Sequence, residues 1–568
     1  MTIDSIRSTY PRTAEAFATL PEGARWLARI AELEAALAAP SPPPATLLRR
    51  VRMLPEADMH VDLVYAGGTL GVIHAAVMAH VHGYRVLIAD RHQAAQTHRD
   101  WNISLEEVHR LVAIGLLTET ELDMVIAARY RTGFIDFHGE GCTVDAQPLS
   151  FSGVLDMAID ANALLALCRA KIERAPGCSV WDGWTLEAVD VTSARNGGDA
   201  MHDGAVTRGA VTRGAVARFR SGSDTRRVHA PLLLDFMGSA SPIAHQLNPG
   251  RAITHLCPTV GTVAMGFATG EARDEVQHDI GEILVTNGHA SDGRQLIWEG
   301  FPAGEGRFTS YLFYYDRVDS GNDRRLLPLF ETYFETLDTY KRRTEDFQIL
   351  KPVFGYIPSI HHRSLGSSAR VAFDHVLSLG DAAALSSPLT YCGFGSFVRT
   401  LERTTRLVAA ALAGGLLDQS SLARINAFEP NVAVAAGFSK FLVARTGADA
   451  RQVNEPLNMI TDLLAEMDPV IKRELFRDEL TFTSYNTLMS TVPKRYPHAL
   501  GMLVRTLRLR GMLSWMVAFV AFGLYEIRRR RFERRLPMHR ARATAADART
   551  RFRLRAASFH YRKKDLTD

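Results

Sequence analysis

Cysteine is scarce in this chain: five residues in 568 (Cys142, Cys168, Cys178, Cys257 and Cys392), none spaced as a CxxC pair. That spacing argues against a disulfide framework and a zinc knuckle, and no metal site is expected. The N-terminus shows no basic, then apolar, then small-residue succession, so a signal peptide is not expected and a reducing cytoplasm is. Runs long enough to cross a bilayer are also wanting. The charge-free segment Gly511–Tyr525 has 15 residues, short of the ~20 a spanning helix needs. Repeats are too few for a solenoid: Gly-Ala-Val-Thr-Arg at 204–208 recurs at 209–213 and imperfectly from 214, which reads as an expansion in a hairpin loop.

What the chain has is an ordinary globular balance, 46% hydrophobic and 23% charged, at a length that suggests more than one domain. The net charge of +4 hides an asymmetry. Residues 528–568 carry 15 Lys/Arg and 4 Asp/Glu, or +11, which leaves −7 for the rest. A basic tail on an acidic body points to an anionic surface as partner for the tail alone. Arg505, Arg508, Arg510 and Arg528 to Arg531 bracket the 511–525 run. That arrangement suits peripheral membrane contact through residues 505–535, with a buried core helix as the other reading. A nucleic-acid partner is not expected, because no binding fold accompanies the basic run.

The informative stretch is 61–90. Val61-Asp62-Leu63-Val64-Tyr65-Ala66 reads as a strand, Gly67-Gly68-Thr69-Leu70-Gly71 as a turn, and 72–82 as a helix. Arg85 to Asp90 is a second strand closing on an acid. This is the order of a dinucleotide-binding βαβ unit. Small residues let backbone approach a pyrophosphate, the helix N-terminus offers unpaired N–H groups, and Asp90 stands where a carboxylate can meet ribose hydroxyls. The first glycine of the usual fingerprint is here Ala66. A second strand–turn–helix follows about 300 residues later: Val376 to Leu379, Gly380-Asp381, Pro388, Gly393-Phe394-Gly395, then a helix from Phe397 to Leu412. Two such turns are characteristic of enzymes whose FAD spans both, with Asp381 near the ribityl chain and Gly393 to Gly395 near the ring.

Between them, Ser104 with Glu107 and Thr118 with Glu121 form capping-box pairs that open two helices. The run Arg99-Asp100-Trp101-Asn102 reads either as a helix lead-in or as a contact to cofactor or substrate. Segments 259–268, 295–302 and 307–316 have the aromatic and β-branched character of strands. The expected fold is α/β: a Rossmann-type domain over 59–415, an interleaved substrate-binding sheet at about 134–375, and a helical extension over 416–535. A helical preface at 1–58 precedes it and a basic tail at 536–568 follows it.

These motifs together resemble the glutathione-reductase-type flavoproteins that include geranylgeranyl reductases and lycopene cyclases, and within them the Cru-type lycopene cyclases. The resemblance covers about 59–415. It rests on Gly67 to Gly71, Trp101-Asn102-Ile103-Ser104, Leu234 to Gly238 with Ser241-Pro242-Ile243, Trp298-Glu299-Gly300-Phe301-Pro302, and Gly380-Asp381-Ala382 with Ser387-Pro388-Leu389 and Gly393 to Gly395. It implies FAD, needed in reduced form with NAD(P)H as reductant, held by Gly67, Gly68, Thr69, Leu70, Gly71, Asp90, Arg99, Gly380, Asp381, Pro388, Gly393, Phe394 and Gly395. It also implies a lipophilic carotenoid substrate whose ψ-ends close to β-ionone rings after protonation, without net redox change. The other reading is a flavin-dependent reductase or monooxygenase of a lipophilic substrate. For the proton donor, Glu299 is the first candidate, because aromatic neighbours such as Trp298 would desolvate it; Asp100 beside Trp101 is the second. An edge-strand Glu299 facing solvent is the plain alternative.

Overall fold

The computed structural model describes residues 3–38, 46–194, 213–249, 254–359, 370–383, 393–425, 428–435 and 437–568. Pro388, Cys392 and most of the Gly-Ala-Val-Thr-Arg repeat lie outside these. The strands that flank the repeat, Thr185–Val191 and Ala215–Ser221, pair antiparallel.

The first apolar runs form a parallel sheet. Its order is Ser179–Asp182, Val86–Asp90, Leu63–Ala66, Leu232–Asp235 and Val376–Ser378, with Ala372–Phe373 antiparallel at the edge. Leu63 to Ala66 are all buried, as both faces of such a sheet require. The chain leaves Leu63–Ala66 toward one neighbour and returns later on the other side. The switch point therefore lies at the carboxyl end of that strand, where ligands of open α/β sheets bind. Gly67, Phe236 and Gly380 follow the carboxyl ends of strands of this one sheet, and Asp90 ends another.

A second sheet supplies the opposite wall. Its order is Asp316–Arg317, His255–Phe267, Phe308–Phe313, Ile297–Pro302, Ile280–Val285, Thr132–Asp136 and Leu149–Phe151, with Arg343–Ser359 also paired to His255–Phe267. Ile297–Pro302 is internal, paired on both sides, and all six of its residues are buried. That removes the edge-strand reading of Glu299. A three-stranded sheet of Trp101–Ile103, Met157–Ile159 and Ile126–Arg129 reaches the second sheet through Asn102, which bonds Glu299.

The preface, helices Ile3–Thr9, Pro11–Ala18 and Gly23–Ala38, covers helix Leu326–Tyr340. Phe17 meets Phe330 edge-on at 5.2 Å, and the buried Glu34 accepts the Leu327 amide at 2.7 Å. The basic tail is not a free extension. Helices Leu536–Ala545 and Ala548–Arg562 fold back, burying Phe552, Ala556 and Phe559 in the core of the first sheet's helical layer. Arg549 pairs with the buried Asp418, and Arg555 with Asp565. Spacing of charge alone does not reveal this, because these helices hide only a narrow apolar stripe.

Candidate functional site

Gly67 has φ +106°, and a Cβ on it would stand 2.3 Å from the Phe236 carbonyl oxygen. A Cβ on Gly68 would stand 2.7 Å from the Ala94 Cβ. Both glycines are demanded by strand ends crowding the turn, in addition to any ligand. Helix Leu70–Ala76 then opens at Thr69 without a side-chain cap. Among the described residues the amides of Thr69, Leu70 and Gly71 meet no acceptor. Three unpaired donors at a helix N-terminus fit an anionic group. The helix widens into a π turn at Val77–Val81, and Gly83, at φ +73°, follows its end.

Asp90 is engaged at the turn itself. It accepts the Gly68 amide at 2.7 Å on one oxygen and the His92 amide at 2.8 Å on the other. A ribose contact at Asp90 would add to that brace. Asp235 plays the same part for the next two strands. Fully buried, it accepts from Ser241 Oγ at 2.6 Å, Ser378 Oγ at 2.9 Å and the Met237 amide at 3.0 Å, and burial pushes its carboxyl upward. Its position in the Leu234 to Gly238 run was visible in the sequence; its bracing role was not.

The second turn meets the first across a cleft lined by Leu70, His74, Phe236, Gly380, Asp381, Gly393, Ser396 and Phe397, among others. Helix Gly393–Ala413 begins four residues before the sequence pattern suggests, so Gly393, Phe394 and Gly395 are its first turn and not a loop before it. Gly395 is needed there because a Cβ would lie 2.8 Å from the Glu107 carboxylate. Both capping boxes form, and Glu107 does two jobs: it accepts the Ser104 amide at 3.2 Å and pairs, deeply buried, with Arg399. The sequence showed only the first.

Arg99 donates from Nη2 to the Tyr356 carbonyl at 2.9 Å and lies against Gly355. Asp100 is bound to Lys351 Nζ at 2.6 Å and accepts from Thr309 at 3.4 Å. Trp101 stacks on Phe394 with centroids 4.3 Å apart, so the Trp-Asn-Ile-Ser run packs on the first turn of helix Gly393–Ala413. Its neighbour Asn102 donates from Nδ2 to Glu299 Oε1 at 2.9 Å.

Glu299 is 6% exposed, and no ion pair to it exists among the described residues. Burial pushes its carboxyl from the usual 4.5 to about 8, only partly offset by the Asn102 hydrogen bond. The carboxyl is therefore mainly neutral near pH 7. Trp298 is not the desolvating group. Successive strand residues face opposite sides, and Trp298 stacks on Tyr340 at 4.5 Å beyond the sheet. Glu299 instead shares its face with Tyr311, its cross-strand partner, and burial of Tyr130 belongs to the same apolar core. The Tyr311 hydroxyl is taken by the Asp100 backbone; that of Tyr130 is buried with no partner among the described residues. Glu299 is thus a buried, mainly neutral acid on a face it shares with aromatic rings.

No family model matches the chain, and no curated protein does. Solved structures align with it at low identity. A geranylgeranyl bacteriochlorophyll reductase-like protein from Thermoplasma acidophilum aligns with a TM-score of 0.51 at 12% identity, over 79% of this chain and 99% of that one. A flavoprotein/dehydrogenase from Cytophaga hutchinsonii aligns at 0.49 and 11% identity, over 74% and 93%. A p-nitrophenol 4-monooxygenase from Pseudomonas putida aligns at 0.49 and 13% identity, over 74% and 99%. The likeness to the first of these supports the fold of this chain, α/β with a Rossmann-type domain, a second sheet and a helical C-terminal region.

Proposed function

We propose that this chain is an FAD-dependent flavoenzyme that cyclises the ψ-ends of a lipophilic polyene such as lycopene, with Glu299 as proton donor. The observation that carries the reading is Glu299 itself: a buried carboxyl without a cation, raised to about 8, hydrogen-bonded by Asn102 and faced by aromatic rings. The donor set at the switch point fits FAD. The amides of Thr69 to Gly71 would hold the pyrophosphate, Asp90 the ribose, Asp381 the ribityl side, and Gly393 to Gly395 would approach the ring. Bound in reduced form, FAD supplies an electron-rich ring that steadies positive charge without electron transfer.

The remaining steps belong to the chain's own residues. Asn102 occupies Glu299 Oε1 as a donor, which leaves the acidic proton on Oε2. Glu299 gives that proton to the terminal double bond, and a tertiary carbocation forms. Tyr311 and Phe301, on the face of the sheet that carries Glu299, offer π faces to it. The neighbouring double bond attacks, a ring proton leaves, and a β-ionone ring closes with no change in oxidation state. Asp100, engaged by Lys351, suits an ion-pair acceptor and not a proton donor.

A second reading draws on the fold shared with the geranylgeranyl bacteriochlorophyll reductase-like protein: reduction of an isoprenoid double bond, in which Glu299 would supply the accompanying proton. Expression in a lycopene-accumulating bacterium, followed by pigment separation, tests the first reading. Stoichiometric NAD(P)H consumption with a hydrogenated product would favour the second.

A further inference from the structure

Helix Ala499–Arg534 carries a surface with no protein partner among the described residues. Of the sixteen large hydrophobic residues that stand exposed there, eight lie on this one helix: Leu500, Val504, Leu509, Leu513, Met516, Val520, Leu524 and Ile527. From Leu509 on, their spacing of three and four keeps them on a single side, over a length of roughly 27 Å at 1.5 Å per residue. The opposite side is fully used. Ala518 and Phe522 are buried, Phe519 and Phe522 pack on Phe482, and Trp515 Nε1 donates to the Tyr485 hydroxyl at 2.7 Å.

The helix is long and apolar enough to reach across a bilayer, and only 17% of its most apolar stretch is buried against the protein. Protein covers one side of this apolar stretch and the exposed stripe runs along the other. The helix can lie flat. Charge selects the partner. Arg505, Arg508, Arg510, Arg528 and Arg531 are exposed at the two ends of the stripe and make no ion pair among the described residues. A kink at Arg508 (φ 53°, ψ 175°) separates the first two turns from the stripe, and Arg445 caps the carbonyls freed there at Arg505 and Thr506.

We propose that this face docks in the plane of an anionic membrane surface, the apolar stripe immersed below the headgroups and the arginines on the phosphates. The packed side of the helix shares one continuous apolar core with Tyr130, Phe301 and Tyr311 beside Glu299, so the docked face and the acid flank the same layer of the molecule.

The test is sedimentation of the full chain with vesicles of neutral phosphatidylcholine, or of phosphatidylcholine with phosphatidylglycerol. Binding to the anionic vesicles, weakened in high salt and released by alkaline carbonate, is the expected result. The exposed double change Leu513→Glu with Val520→Glu should lower it by about tenfold or more, and Arg528→Glu with Arg531→Glu should weaken the anionic preference, which Arg505, Arg508 and Arg510 share. Unchanged thermal melting and FAD content show that both variants fold. Equal binding to both vesicles, undiminished binding by the Leu513/Val520 variant, or a lipid-free dimer that those changes dissociate would overturn the proposal.

Discussion

Asn102 and Glu299 are 197 residues apart in sequence and 2.9 Å apart in space, the amide donating to the carboxyl. The strand that carries Asn102 also carries Trp101, stacked on Phe394 in the first turn of helix Gly393–Ala413. Three residues, Trp101 to Ile103, thus join the dinucleotide side of the molecule to its acid.

Glu299→Gln keeps shape and hydrogen bonding while removing the proton. Cyclisation is expected to fall ~10²–10⁴-fold with FAD still bound, measured by pigment yield and flavin absorbance together. A near-parental rate would remove Glu299 from the mechanism.

The same carboxyl imposes a pH dependence of fixed sign. With a folded value of about 8 against the usual 4.5, the folded state holds a proton that the unfolded state has released between those values. Its contribution is full below 4.5 and is lost as pH rises to about 8, with a slope of up to ~1.4 kcal/mol per pH unit. Melting temperature should decline more steeply over that window in the parent than in Glu299→Gln. Activity should fall as pH climbs past 8, on the basic side only as far as this group is concerned.

Asn102 acts through Glu299, as a positioning residue. Its hydrogen bond lowers the carboxyl's value. Asn102→Ala should therefore slow turnover while moving the basic limb of the pH–rate profile upward. A slower enzyme with an unmoved profile would mean a merely structural loss.

Asp100→Asn, by contrast, disrupts the pair with Lys351 and leaves the acid intact. Cyclisation is expected to persist. Its abolition together with full activity in Glu299→Gln would exchange the two roles.

Asp235→Ala leaves the Ser241 and Ser378 hydroxyls and the Met237 amide without their shared acceptor. A loss of ~2–4 kcal/mol is expected from unpaired buried groups, together with weaker FAD binding as two strand ends separate. Denaturant unfolding with and without added FAD measures both.

Much of the scaffold is readable in the residues. The strand–turn–helix–strand of 61–90 and both capping boxes depend on local spacing, and they form as the spacing dictates. The second turn was displaced by one helical turn, because glycines suggest a loop while Gly395 in fact yields room to Glu107. Glu299 could be named from its motif, but not its environment. Which face of a strand is buried, and that Asn102 and Tyr311 close around it, depend on pairings across some 200 residues. The tail's packing was hidden for a related reason: Arg549 meets Asp418 only once the chain has folded back.

The most direct measurement of the central claim is anaerobic incubation of purified protein, loaded with reduced FAD, with lycopene in anionic vesicles, followed by separation of the pigments. The account predicts a β-ringed product of unchanged mass, formed over many turnovers without NAD(P)H consumption, and none from Glu299→Gln. Unchanged lycopene despite bound reduced FAD, or a product heavier by two hydrogens for each NAD(P)H consumed, would contradict it.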